Sequence, residues 1–139
     1  DTLALRMEKH CSNAAAAAAF LNAHPKVEWV KHPSLKSDKY HALAEKYMPA
    51  GTGGMMSFGI KGDAKRCAAF MEALSLITQE THVADVRSCV LHPASTTHRQ
   101  LSKADLEKAG VPENLVRLSV GIENPEDILT DLSRALDKI

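Results

Sequence analysis

The run Leu115-Val116-Arg117-Leu118-Ser119-Val120-Gly121-Ile122 decides how the rest of this chain is read. Its alternation predicts a strand with Val116, Leu118, Val120 and Ile122 on one face and Leu115, Arg117, Ser119 and Gly121 on the other. The first face is wholly apolar and calls for a layer packed on it. The second holds a guanidinium beside two small residues, which makes it a hollow. The planar fork of an Arg matches a carboxylate or phosphate at two points. The other partner such an Arg takes is an internal Asp or Glu, and spacing alone leaves both open.

Working outward, short strand-like and helical pieces alternate. Leu3, Met7, Cys11, Ala14, Ala18 and Leu21 recur at intervals of three and four, and the alanine run 14–19 favours helix, so a long helix is expected over 1–24, ended by Pro25. Residues 27–31 read as a strand. Residues 38–47 read as a helix stopped by Pro49, and the glycines at 51, 53 and 54 turn the chain into a strand over 55–60. Asp63 is placed to cap a helix with Cys67, Phe70, Met71, Leu74 and Ile77 on one face. Residues 86–91 read as a further strand, Ser102 opens a short helix that ends at Gly110, and Asn124-Pro125-Glu126-Asp127 opens the last helix. Four strands with interleaved helices predict an α/β (α+β) sandwich, a mostly antiparallel four-stranded sheet with helices on one face. The expected organisation is a connecting helix over 1–24 and the sandwich over 25–139. The hollow face is then partly uncovered, and a buried Arg there needs another domain or an anionic ligand over it.

Composition narrows the function. The chain has 139 residues, 45% of them hydrophobic, with Lys+Arg and Asp+Glu equal at 17 each. That is enough to bury a core. It gives no basic footprint for nucleic acid and no apolar run of the roughly 20 residues that a membrane span requires. Cys11, Cys67 and Cys89 cannot all pair and lie among apolar neighbours, so they read as reduced core residues of a cytoplasmic protein.

A second polar cluster runs from Arg87 through Ser88 to His98. Ser88 would donate to the same anion as Arg117 if their strands are neighbours. The hydroxyls of Ser95, Thr96 and Thr97 would equally satisfy their own backbone. His92 and His98 lie six apart across a Pro, with no third ligand placed by sequence, which argues against zinc. Ser95, His98 and Asp105 make a triad only on paper, since the serine lacks a nucleophile-elbow glycine pattern.

Taken together, Ser88-Cys89-Val90-Leu91-His92-Pro93-Ala94-Ser95-Thr96-Thr97-His98 and Arg117-Leu118-Ser119-Val120-Gly121-Ile122-Glu123 resemble the C-terminal domain of the pyridoxal-phosphate-dependent Cys/Met metabolism enzymes. The resemblance extends to Leu3-Ala4-Leu5-Arg6-Met7, His24-Pro25-Lys26-Val27 and Gly53-Gly54-Met55-Met56-Ser57-Phe58. Within that family the 92–98 run is most similar to members that make homocysteine from O-acetylhomoserine and sulfide. The resemblance implies the small C-terminal domain of a fold-type I enzyme. In it Arg117 holds the α-carboxylate of the amino-acid substrate with help from Ser88, and no catalytic, cofactor-binding or metal residue is contributed.

It also implies that pyridoxal 5'-phosphate is held by an N-terminal domain absent from this chain, whose lysine supplies the Schiff base. The chain then reads as a fragment, inactive alone, from a homo-oligomer that is a tetramer in the family. Two other readings stay open: a sibling enzyme (cystathionine γ-synthase, cystathionine γ-lyase or methionine γ-lyase), or a non-catalytic module in which Arg117 binds a regulatory anion.

Overall fold

The computed structural model describes residues 1–139. In chain order the elements are α1 Leu3–Ala23, β1 Val27–Lys31, α2 His41–Tyr47, β2 Met55–Ile60, α3 Ala64–Ala73, β3 Thr78–Gln79, β4 Cys89–Leu91, a 3-10 turn Pro93–Ser95, α4 Lys103–Lys108, β5 Leu115–Ser119 and α5 Pro125–Asp137. The strands form one sheet in the order β1-β2-β5-β4-β3. Every pair is antiparallel except β3 with β4, which run parallel. The sheet is therefore mixed α/β and mostly antiparallel as expected, but it has five strands rather than four. The fifth, β3, is two exposed polar residues with no apolar alternation to announce it.

Alternation fixes which face is buried. Met56, Phe58 and Ile60 of β2, Val90 of β4 and Val116 and Leu118 of β5 all enter one core, joined by Val120 just past β5. Against them pack Ala14, Ala17, Ala18 and Leu21 of α1, Cys67, Phe70 and Met71 of α3, and Ile128, Leu132, Ala135 and Leu136 of α5. The alanines matter because they let the long helix sit close to the sheet. Phe58 and Phe70 meet edge to face with centroids 5.8 Å apart, a geometry that adds about 1 kcal/mol beyond the area buried.

Element ends follow local hydrogen bonding. Asp63 accepts from the Arg66 amide and opens α3; Ser102 accepts from the Asp105 amide and opens α4; Asn124 accepts from the Glu126 amide and opens α5. Gly110 closes the turn after α4 with φ at 72°, where a side chain would be strained.

Four expectations need correction. The α3 helix ends at Ala73 rather than reaching Ile77, because the amides of residues 75–77 turn aside to the carboxylate of Asp131. Strand β4 begins only at Cys89, since the Ser88 amide is taken by Glu123. Strand β5 stops at Ser119, where the chain turns to meet α1. The α1 stripe is buried only in its second half: Leu3 is 62% exposed and Cys11 is half-buried, while the polar His10 and Asn13 lie inside.

Candidate anion site on the open face of the sheet

Arg117 occupies the middle of β5, opposite Ser57 of β2 and Leu91 of β4. It faces away from the core formed by its neighbours Val116 and Leu118. This face is expected to be partly uncovered, with another domain or a ligand over it; on one side the chain itself covers this face. Residues 80–87, the loop between β3 and β4, fold back over it. The Arg117 guanidinium donates to the Thr81 carbonyl at 3.0 Å, the Ala84 amide donates to Ser119 Oγ at 3.2 Å, the Cys89 thiol to the His82 carbonyl at 3.4 Å, and the Ile122 amide to the Val86 carbonyl at 2.9 Å. Under this cover Ser119 and Cys89 are almost fully buried, while Arg117 itself stays half-buried.

The partner of the guanidinium decides what the site does. No ion pair of the molecule includes Arg117, so the internal-acid alternative does not describe this structure. One of its five N–H donors is fixed by Thr81, and the remaining donors have no partner in the chain. The nearby Cys89 thiol is pushed up by burial, an effect the Arg117 charge opposes.

Ser88 is fully buried and committed elsewhere. Its hydroxyl donates to Glu123 Oε2 at 2.9 Å and accepts from the Gly121 amide at 2.8 Å. A hydroxyl has one proton, so Ser88 has none left for an anion beside Arg117. What Ser88 does is tie the end of the loop to the turn after β5. That turn is fastened in turn to α1: His10 Nδ1 donates to the Val120 carbonyl at 2.6 Å, and Asn13 Nδ2 to the carbonyls of Gly121 and Glu123 at 3.0 and 2.8 Å.

The cluster after β4 is self-contained. His92 Nε2 donates to the Glu113 carbonyl at 2.7 Å, and its Nδ1 lies 2.8 Å from the Ser95 hydroxyl. Ser95 is thus paired with His92 rather than His98, and Asp105 with Ser102. Sequence reading missed Thr81, which acts through its carbonyl and so leaves no trace in side-chain type. It also passed over Glu123, Asn13 and Asp131. Asp131 did leave a signal, a carboxylate on the apolar stripe of α5 between Ile128 and Leu132.

A cleft of about 250 Å³ lies at Ser119, two residues along β5 from Arg117, bounded by Met55, Val83, Ala84 and Ser119 and by Met7 and His10 of α1; Arg117 does not line it.

The chain as a whole is similar to known proteins. The family model for Cys/Met metabolism PLP-dependent enzymes matches residues 1–137. The O-acetyl-L-homoserine sulfhydrylase of Leptospira meyeri is 46% identical over all of this chain, and an L-methionine gamma-lyase of Fusobacterium nucleatum is 42% identical over 99% of it. A Campylobacter jejuni protein assigned as an O-acetylhomoserine (thiol)-lyase, crystallised with a pyridoxyl-lysine monophosphate, superimposes with a TM-score of 0.92 at 41% identity over 98% of this chain. The chain spans about a third of the length of these proteins, 32% to 35%. A match of this extent means that the chain belongs to the PLP-dependent Cys/Met metabolism enzyme family.

Proposed function

We propose that this chain is the C-terminal, substrate-carboxylate-binding part of a PLP-dependent transferase that makes homocysteine from O-acetylhomoserine and sulfide. One observation carries the reading. Arg117 is held in place on a half-buried strand face by a neutral carbonyl, with no acid of its own, so its charge is left for a ligand. The guanidinium donors not used by Thr81 have no partner in the chain, and an amino-acid carboxylate meets their geometry at two points.

Pyridoxal phosphate is the family's cofactor and supplies its electron-sink chemistry when bound. The residues present do not fit a covalent home for it. The buried polar side chains are His10, Asn13, His32, Ser88, His92, Ser119 and Asp131, with no lysine among them. Lys26 is spent on the carbonyls of Leu136 and Asp137, and Lys103 on Glu113. In this proposal the Schiff-base lysine and the phosphate site are left to an N-terminal domain, as the family resemblance implies.

What the present residues do is bind and orient. Arg117 grips the substrate carboxylate, and the Thr81 carbonyl, supplied by the loop over β5, fixes the plane of the guanidinium. Fixing the carboxylate fixes the rest of a small amino acid relative to the reacting group, which is worth several kcal/mol in a well-oriented site. Exposed Leu3, Leu5, Leu43 and Tyr47 offer surface for the proposed N-terminal domain and for a homo-oligomer, with a tetramer as the family's form. No helix is long and apolar enough to cross a membrane, and a cytoplasmic location belongs to the proposal on the family resemblance alone.

The identity to a methionine gamma-lyase favours one second reading, a sibling that binds its amino acid through the same Arg117 and differs in leaving group. The test joins this chain to the N-terminal domain of a relative and measures homocysteine from O-acetylhomoserine and sulfide, with Arg117→Ala and Arg117→Lys alongside. Activity lost on Arg117→Ala and cut well beyond tenfold by Arg117→Lys supports the reading, since lysine keeps the charge and loses the fork. Turnover of methionine instead transfers the assignment to the sibling. A Lys variant with unchanged KM removes Arg117 from the site.

A further inference from the structure

The loop that covers Arg117 is pinned at both roots by carboxylates that never touch it. At the first root, Asp131 of α5 accepts from the backbone amides of Ser75, Leu76 and Ile77 at 3.0, 2.9 and 2.9 Å and from Ser75 Oγ at 3.1 Å. Thr81 follows only four residues later, across the two-residue strand β3. At the second root, Glu123 takes the amide of Ser88 and its hydroxyl, and the Glu123 carbonyl is itself held from α1 by Asn13. Between the roots Ala84 sits at φ 59°, a left-handed conformation costing on the order of 1–2 kcal/mol for a non-glycine residue, which persists only where the surroundings impose it. Its amide is tied to Ser119, two residues from Arg117 on the same face.

We propose that Asp131 and Glu123 are positioning residues of the Arg117 site: they fix the two ends of the 80–87 loop so that the Thr81 carbonyl holds the guanidinium in register before a carboxylate arrives. This rests on Arg117 being the carboxylate anchor. The physical gain is preorganisation. An Arg side chain carries about 2 kcal/mol of rotamer entropy, and having it ordered in advance saves that cost on binding. Carboxylates suit the task because a single one accepts from successive backbone amides that diverge from a helix end, as Asp131 does. Neither acid forms an ion pair with Arg117, so each acts through the loop alone.

The test uses the full-length enzyme with its cofactor and compares Asp131→Asn, Glu123→Gln and Arg117→Ala with the parent. Steady-state kinetics are measured with O-acetylhomoserine and with its α-carboxamide, and the readout is the ratio of the two kcat/KM values. A looser guanidinium lowers preference for the carboxylate, so the ratio should fall about tenfold in each positioning variant through KM, kcat staying within about threefold, since misplacement by roughly 1 Å costs up to about a hundredfold. Lost stability alone reduces the amount of active enzyme and leaves the ratio unchanged; that result overturns the proposal. If Arg117→Ala abolishes the ratio while both positioning variants keep it, only the positioning role falls. If Arg117→Ala keeps it, the anchor reading falls and the proposal with it. Should either acid variant fail to fold, Ser88→Ala removes the hydroxyl on which Glu123 acts while leaving its amide in place; an unchanged ratio there overturns the Glu123 arm, and a fall of a few-fold supports it.

Discussion

Replacing Asp131 with Ala takes one acceptor away from three consecutive amides and a hydroxyl, and the structure says how unequal those losses are. The amides of Ser75 and Leu76 lie in exposed residues and can turn to water. The Ile77 amide cannot, because Ile77 is only 3% exposed and its bond to Asp131 is buried. Arg134 loses its carboxylate too, though it is itself exposed and rehydrates at little cost. An unsatisfied buried amide costs about 1–3 kcal/mol, and each charge-assisted bond replaced by water somewhat less, so Asp131→Ala should destabilise the chain by about 3 kcal/mol. For a domain of this length that is on the order of a quarter of the total. At a urea slope of about 1.5–2 kcal/mol/M the midpoint drops by about 1.5–2 M.

The pH dependence separates charge from shape. Burial pushes the Asp131 carboxyl up, but the amides of Ile77, Ser75 and Leu76 and the Ser75 hydroxyl outweigh it and hold the group below its ordinary value. A carboxyl depressed in the folded state contributes stability that is present above the unfolded value of about 3.9 and lost as pH falls through the lower folded value. Asp131→Asn, which keeps the outline and loses the charge, should therefore be less stable than the parent at pH 7, with the gap closing below about pH 4. A gap that is constant from pH 7 to pH 3, or an Asp131→Ala cost under about 1 kcal/mol, would refute the reasoning, because either shows that the amides do not depend on the anion.

Two further outcomes are expected. Burial, with the negative charge of Asp63 behind it, pushes the Cys67 thiol up to about 11, and Cys89 is raised in the same direction, while Cys11 is half-buried beside the turn at Gly53. Alkylation with iodoacetamide at pH 8 followed by mass spectrometry should find Cys11 modified first; early labelling of Cys67 would contradict its place in the core. Gly59 has no room for a side chain because a Cβ there would meet the Trp29 indole. Gly59→Val should displace this single Trp, cost about 1–3 kcal/mol by overpacking and shift its fluorescence to the red, whereas an unchanged spectrum would place the indole elsewhere.

How far the sequence disclosed this site follows from which atoms carry it. Arg117 was legible because alternation is a strong signal: with Val116 and Leu118 committed to the core, Arg117 had to face the other way, and it does. The β2 strand and the caps of α3, α4 and α5 were legible for the same reason, each resting on side-chain pattern or a single local hydrogen bond. The loop over Arg117 was not, since its contacts run through the backbone of Thr81, His82 and Val86, whose side chains are exposed and carry no pattern. Ser88 shows the limit of residue type as evidence. A serine next to an arginine strand suggests a second donor to an anion, yet a hydroxyl follows whichever acceptor the fold brings nearest, and here Glu123 arrives from 35 residues away. The polar residues that sit where apolar ones are expected, His10 and Asn13 on α1 and Asp131 on α5, share one property: all three bond to backbone groups in the segments that lead into or out of the sheet near Arg117. A polar side chain on an otherwise apolar stripe is expensive unless it is hydrogen-bonded, and although Asn13 bonds only through Nδ2, its Oδ1 lacking a partner, such positions point to segments whose path is fixed by something other than hydrophobic packing. In this chain they point to the loop and turn around one arginine.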